Sequence, residues 1–219
     1  SDVKEVGKYR IEPFLKSRGI AQLDYVFLSH GDLDHMNGIE EILMRQDVGV
    51  RIRSLVVPGK QYWDERILKI ITLAKMYGTD VKVMEYGMEL TKGEMKFTCL
   101  GPDGNPDDKS HNVTAGNESS MILHLEYGEF DMLFTGDVEK EGEERLTEIL
   151  GVIQEEKGIT WEILKTAHHG SKNSTTETFL QTVHPQYAWI SAGRKNRYGH
   201  PHDQTLKRLE KSGAKIYST

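Results

Sequence analysis

Tyr25-Val26-Phe27-Leu28-Ser29-His30-Gly31-Asp32-Leu33-Asp34-His35 is an apolar strand running straight into two imidazoles and two carboxylates. A strand end projects side chains into a cleft. Crowding four such groups there costs free energy unless a cation neutralises them. The spacing His-x-Asp-x-Asp-His, set between this strand and a helical stretch beginning near Ile39, therefore reads as a metal-ligand cluster rather than a solvated polar loop.

Two later segments have the same context. Phe130-Asp131-Met132-Leu133-Phe134-Thr135-Gly136-Asp137 is an apolar strand that delivers a carboxylate just past a glycine, and Ile163-Leu164-Lys165-Thr166-Ala167-His168-His169-Gly170-Ser171-Lys172 delivers two imidazoles off another strand. Taken singly, Asp137 also reads as a helix N-cap and the histidine pair as a polar loop. Three strand ends carrying His and Asp in one chain point instead to a single metal chemistry.

The chain as a whole has an ordinary soluble globular composition. It has 219 residues, 28% of them charged, with 28 Lys and Arg against 34 Asp and Glu for a net charge of −6. That balance argues against a protein that holds nucleic acid by a wholesale basic surface. The single cysteine, Cys99, excludes an internal disulfide and a cysteine-rich zinc site. No apolar run approaches the ~18 residues of a membrane span. The polar start Ser1–Lys8 and the stop directly after Ala214–Tyr217 read as the cut ends of a piece excised from something longer.

Strands are expected at Tyr25–Ser29, Ser54–Pro58, Val81–Glu85, Met95–Leu100, Ser119–Tyr127, Phe130–Thr135, Trp161–Thr166, Tyr187–Ser191 and Ala214–Tyr217. Helices are expected from Asp64 to Gly78 and over Ile39–Met44, Gly142–Leu150, Thr176–Thr182 and Gln204–Lys211. The helix after Asp64 is the clearest, with Ile67, Ile70, Ile71, Ala74 and Tyr77 on one face. Gly128-Glu129 between two strands is a hairpin signal, so a purely parallel doubly wound sheet is disfavoured. Gly101–Asn117 reads as a long irregular loop. His124, inside an alternating strand, reads as structural, as does His111 in that loop; Met84, Met121 and Met132 read as packing residues.

The first cluster resembles HxHxDH, the first metal motif of the metallo-β-lactamase superfamily, with Asp32 where the second histidine usually stands. HGDLDH, LFTGDVE, LKTAHHGSKNS and SAGRKNRYGHPH together resemble the extracellular metallo-β-lactamase-like domain of ComEC-type DNA-internalisation proteins from competent bacteria. The resemblance runs from Val3 to Tyr217. It implies one α/β (α+β) domain over residues 1–219, the αβ/βα four-layer sandwich, here lacking the first strands that carry the family's Asp-Val-Gly-Gln-Gly-Asp motif.

The same resemblance implies two divalent metal ions and no small organic cofactor. His30 and Asp32 would hold one ion, Asp34 and His35 the other, Asp137 would bridge them, and His168 would complete the second site. A hydroxide held by the metals would be the nucleophile, with Asp34 and Asp137 central to the chemistry. The family's further histidine is missing, with Asn117 nearest its place. The donor set is therefore oxygen-rich, which favours Mn²⁺ or Mg²⁺, with Zn²⁺ retained as an alternative.

Phosphate contacts are expected from Lys172 and Arg197, with Ser171 and Asn117 also in the substrate site and Tyr198 available to stack on a base. His169 or His200 would protonate the leaving oxygen. The implied function is a nuclease degrading the DNA strand that is not transported, acting on DNA, single-stranded in this reading, beside the membrane channel of the same polypeptide at the extracytoplasmic face of the cell membrane. Two other readings stand beside it: a small-molecule phosphodiesterase of the phosphorylcholine-esterase kind, and a non-catalytic DNA-binding or gating module.

Overall fold

The computed structural model describes residues 5–103, 116–194 and 196–219. His111, Lys195 and most of the Gly101–Asn117 stretch lie outside the described residues. The chain divides into two compact units, Ser1–Met84 and Glu85–Thr219.

The first unit is built on a parallel three-stranded sheet, β1 (Gln22–Phe27), β2 (Arg51–Pro58) and β3 (Asp80–Met84), in the order β1-β2-β3. Register pairs Tyr25 with Ser54 and Leu55 with Val81. β2 lies in the middle, and Ser54 to Pro58 are buried without alternation, as a strand covered on both faces requires. Helices α1 (Glu12–Ser17), α2 (Leu33–Leu43) and α3 (Glu65–Met76) complete the unit.

Asp64 caps α3 by accepting from the Ile67 N–H at 2.8 Å. The helix buries Ile67, Ile70, Ile71 and Ala74 in a core shared with Leu28, Leu43 and Leu55. Gln46 closes the far side: its Oε1 accepts from the Ile52 N–H at 2.7 Å, and its Nε2 donates to Thr79 Oγ1 at 3.0 Å.

The second unit holds a seven-stranded sheet: β4 (Glu89–Lys92), β5 (Met95–Gly101), β6 (Ile122–Tyr127), β7 (Phe130–Phe134), β8 (Ile163–Lys165), β9 (Tyr187–Ile190) and β10 (Lys215–Ser218). The order is β10-β9-β8-β7-β6-β5-β4. β4 to β7 are antiparallel and β7 to β10 parallel. Gly128, at φ 64°, turns the expected hairpin between Tyr127 and Phe130. Helices α4 (Lys140–Lys157), α5 (Glu177–Val183) and α6 (Asp203–Lys211) supply Leu146, Leu150, Phe179, Leu180, Val183 and Leu209 to one core with Leu133, Leu164, Ala188 and Ile190 from the strands.

All nine expected strands form. β4, short and charged, and the helical stretch Gly7–Ser17 carry no periodic apolar signal and were not expected. α2 begins six residues earlier than expected, at Leu33, and so places Asp34 and His35 in its first turn. α4 runs through Gly151 to a left-handed cap at Gly158, φ 66°, because its apolar face continues past the glycine.

Glu143 on α4 is a buried carboxylate that ties the helix to the loop before α5. It accepts from the backbone N–H groups of Thr175 and Thr176, one on each oxygen. Burial pushes its carboxyl above the ordinary range, against the pull of those N–H donors. Glu143→Gln turns an amide donor toward one of them. It is expected to destabilise the chain by about 1–3 kcal/mol, read as a lowered urea midpoint at unchanged m-value.

Candidate functional site

Each unit carries its own cluster of imidazoles and carboxylates. In the first, His30 is buried at the end of β1, and Gly31 and Asp32 lead into α2. A Cβ at Gly31 would come 2.6 Å from the Asp64 carboxylate and would push it off the Ile67 N–H that it caps. Asp32 stands at the N-cap of α2 without bonding its helix. Its carboxylate instead lies 3.6 Å from His30 Nε2 and 3.1 Å from the guanidinium of Arg66.

Ser29 Oγ lies 3.0 Å from His30 Nδ1 and 3.1 Å from His35 Nδ1, and the two rings are 4.2 Å apart. Asp34 is the outermost member, with its Oδ2 3.9 Å from His35 Nε2. The strand end, the Ser29 hydroxyl and the first turn of α2 thus gather all four expected residues of this half.

In the second unit the parallel arrangement of β7, β8 and β9 decides the geometry. Parallel neighbours end on the same side of a sheet, so the loops that follow them converge there. β7 delivers Asp137 and Glu139, β8 delivers His168 and His169, and β9 delivers the segment from Ser191 to His202. Asp137 is 3% exposed, on a turn made by Gly136 at φ 54°. Its N–H donates to Ser120 Oγ at 3.0 Å.

His168 and His169 both adopt left-handed backbone angles, φ 41° and 54°, a conformation rare for residues with a Cβ and concentrated at functional sites. His168 Nδ1 lies 2.7 Å from Glu139 Oε1, and His169 Nδ1 lies 2.6 Å from the Ser191 carbonyl. Both partners only accept, so each ring carries a proton on Nδ1, and in the neutral ring Nε2 is the base. The two Nε2 atoms lie 3.9 and 3.5 Å from Asp137 Oδ2.

His200 packs edge-on to His168 at 5.2 Å and stacks with His169 at 6.3 Å and Tyr198 at 5.8 Å. Burial, then the imidazoles of His168, His202 and His169, push it down to about 4 against the upward pull of Asp137. Burial alone would raise the Glu139 carboxyl. Hydrogen bonds from His168 and Ser171 and the nearby imidazole charge outweigh it and hold this group below its ordinary range.

Imidazoles that spend Nδ1 on an acceptor and turn Nε2 toward a buried carboxylate are, once neutral, the donor set a borderline or hard divalent cation takes. The first unit adds two more imidazoles and two more carboxylates of the same kind. A family model of the metallo-beta-lactamase superfamily matches residues 4–194. The chain belongs to the metallo-beta-lactamase superfamily.

It is 36% identical over 214 residues to ComE operon protein 3 of Bacillus subtilis (strain 168), which covers 98% of this chain and 26% of that protein. It is 28% identical over 209 residues to competence protein ComA of Neisseria gonorrhoeae, covering 95% of this chain and 26% of that one. The chain thus spans about a quarter of the length of these relatives. Among solved structures, the metallo-beta-lactamase fold protein YhfI from Bacillus subtilis aligns over 98% of this chain and 78% of its own, with a TM-score of 0.58 and 15% identity. The superfamily's α/β fold, two sheets flanked by helices, is therefore the fold of this chain. Among the described residues no helix is long and apolar enough to cross a membrane.

In the second unit of this metallo-beta-lactamase chain, the expected residues do not all face the same way. Asn117 reaches the imidazole cluster, its Nδ2 3.3 Å from His168 Nδ1, but that nitrogen is committed to Glu139 by the shorter 2.7 Å contact and, protonated, accepts nothing from the amide. Arg197 lies over the Tyr198 ring at 4.8 Å, and both side chains are exposed. Lys172 is exposed, and its backbone N–H donates to His202 Nδ1 at 3.0 Å. Ser171 is buried, with its hydroxyl donated to Glu139 at 2.6 Å. His124 is buried in β6 and bonded to Asp131 at 2.6 Å.

Sequence reasoning missed Ser29, Arg66 and Glu139. Ser29 and Glu139 each sit within two residues of a singled-out ligand, which was the signal available. Arg66 lies 34 positions from its partner Asp32 and had none. In the metal-free chain His200 is expected to stay neutral down to about pH 4, followed by ¹⁵N shifts of its ring. An unfolded chain takes up a proton on this residue below about pH 6.5 that the folded chain refuses. Its contribution to stability therefore declines as pH falls through that window. A His200 midpoint near 6.5 would contradict the burial described.

Proposed function

We propose that this chain is the metal-dependent phosphodiesterase module of a DNA-uptake protein, a nuclease that cleaves DNA, single-stranded DNA first, at the extracytoplasmic face of the membrane. The observation that carries the reading is the buried Asp137 carboxylate faced by the Nε2 atoms of His168 and His169. It occurs in a chain 36% identical over 214 residues to ComE operon protein 3 of Bacillus subtilis. The reading takes His30, Asp32, Asp34 and His35 as further ligands and two divalent ions as the cofactor, supported by membership of the superfamily.

When bound, such ions supply Lewis-acid stabilisation of phosphate oxygens and a lowered pKa for water. The chain's own residues do the rest. Lys172 and Arg197, both exposed cations, take phosphate oxygens of the substrate backbone. Tyr198, engaged by the Arg197 guanidinium and stacked with His200, is exposed and takes a base by exchanging one of these contacts for it. Of the two imidazoles that could protonate the leaving oxygen, His200 is kept neutral at pH 7 by its burial. His169 stands beside the carboxylate that balances a positive ring, and it takes this role. The net charge of −6 makes affinity for isolated DNA low and salt-sensitive. Attachment to the channel portion of the same polypeptide supplies the local concentration.

The test is cleavage of linear single-stranded DNA by the metal-stripped chain with Mn²⁺, Mg²⁺ or Zn²⁺ restored, beside a small chromogenic phosphodiester. Metal-dependent cleavage of DNA is expected, lowered on the order of a hundredfold or more by Asp137→Ala. Turnover of the small ester with DNA left intact would make the chain a small-molecule phosphodiesterase. Metal uptake without turnover of either would make it a binding module.

A further inference from the structure

Glu139 is unusual among the acidic residues of its helix. It occupies the N-cap position of α4 with extended backbone angles, yet its side chain makes no capping bond. A carboxylate there ordinarily accepts from the first-turn N–H groups. Here that work falls to Glu118, whose Oε2 accepts from the Gly142 N–H at 2.9 Å. Glu139 turns the other way, and its Oε1 meets His168 Nδ1 at 2.7 Å and Ser171 Oγ at 2.6 Å. It does so while 8% exposed, where a carboxylate is costly unless it is bonded.

We propose that Glu139 is the positioning residue of His168: its carboxylate fixes the imidazole as the Nδ1–H tautomer and keeps the Nε2 lone pair facing Asp137. A neutral imidazole otherwise has both tautomers open to it, and only one leaves Nε2 able to bind a cation. Two features show that the contact is built rather than incidental. Ser171, which shares the carboxylate oxygen, also donates its N–H to the His168 carbonyl at 2.8 Å, so ring and backbone of His168 are tied to one carboxylate–hydroxyl pair. The His168 N–H is held in turn by the Gly136 carbonyl at 3.1 Å, which joins the loop after β8 to the turn that carries Asp137. The metal side of this inference rests on the reading that His168 is a ligand, whereas the tautomer does not depend on it.

The experiment uses the whole 219-residue chain with ¹⁵N-labelled histidine. In metal-free wild type, at a pH high enough that the ring is neutral, His168 is expected to show a protonated Nδ1 and an unprotonated Nε2. Glu139→Gln, whose amide can donate to Nδ1, is expected to shift His168 toward the Nε2–H form. It is also expected to weaken Mn²⁺ or Zn²⁺ binding by roughly tenfold to a hundredfold, measured by calorimetry. Ser171→Ala removes the other partner of the same oxygen and is expected to leave the His168 pattern as in wild type.

An Nε2–H tautomer in wild type, or a His168 pattern unmoved by Glu139→Gln, overturns the proposal. The wild-type spectrum alone is decisive, so a variant that fails to fold does not remove the test. A wild-type chain that shows the expected tautomer and the switch in Glu139→Gln, yet takes up no metal, sustains the positioning role and sinks the metal-binding reading instead.

Discussion

Asp137 and Glu139 lie two residues apart at the end of β7, and both are nearly closed to water. Two carboxylates so placed are unfavourable by their own desolvation and by mutual repulsion. The second unit answers with partners brought from other elements: Ser171 and His168 donate to Glu139, Ser120 Oγ accepts from the Asp137 N–H, and the Nε2 edges of His168 and His169 face Asp137. The loops after β7, β8 and β9 must therefore hold fixed positions relative to one another. The left-handed angles of His168 and His169 are tolerated because the carbonyl of Gly136 and the groups of Ser171, Glu139 and Ser191 pin these residues on several sides.

That constraint explains the mixed sheet. Antiparallel pairing suffices for β4 to β7, where two-residue turns join β4 to β5 and β6 to β7. Three successive loops can meet on one side only where strands run parallel, and parallel neighbours need long crossovers. The helices α4, α5 and α6 are those crossovers, and they also cover the sheet with the apolar residues of its core. The site and the hydrophobic core are thus two consequences of the same connections, and Glu143 joins them by tying α4 to the loop that follows the histidine pair.

The strands and the motif residues were legible because both rest on local signals. Apolar runs such as Phe130–Phe134 announce themselves, and His or Asp immediately after such a run has few structural uses. What was not legible depends on distance in sequence. Nothing in the run Val138-Glu139 distinguishes an N-cap carboxylate from one that leaves its helix for an imidazole 29 positions away. Ser171 looked like a substrate contact because it follows the histidines, and only the fold shows its hydroxyl committed to Glu139. The start of α2 was hidden by Gly38, which weakens a helical pattern in sequence but sits buried in the structure.

One chemical rule recurs in both units. His168 and His169 each spend Nδ1 on an acceptor, a carboxylate and a carbonyl, and keep Nε2 for whatever approaches. His30 and His35 share a single hydroxyl, Ser29, through their Nδ1 atoms. A serine oxygen has two lone pairs and one proton. It can accept from both rings at once only if its own proton points elsewhere, and in that arrangement both Nε2 atoms are left as bases. If the serine donates to one ring instead, that ring carries its proton on Nε2 and cannot bind a cation there. A cation that draws on both Nε2 atoms therefore selects the first arrangement. The Ser29 hydroxyl rotor can adopt it at little cost, whereas Glu139 and the Ser191 carbonyl impose it outright. The first unit's cluster is thus the adaptable one and the second unit's the preorganised one.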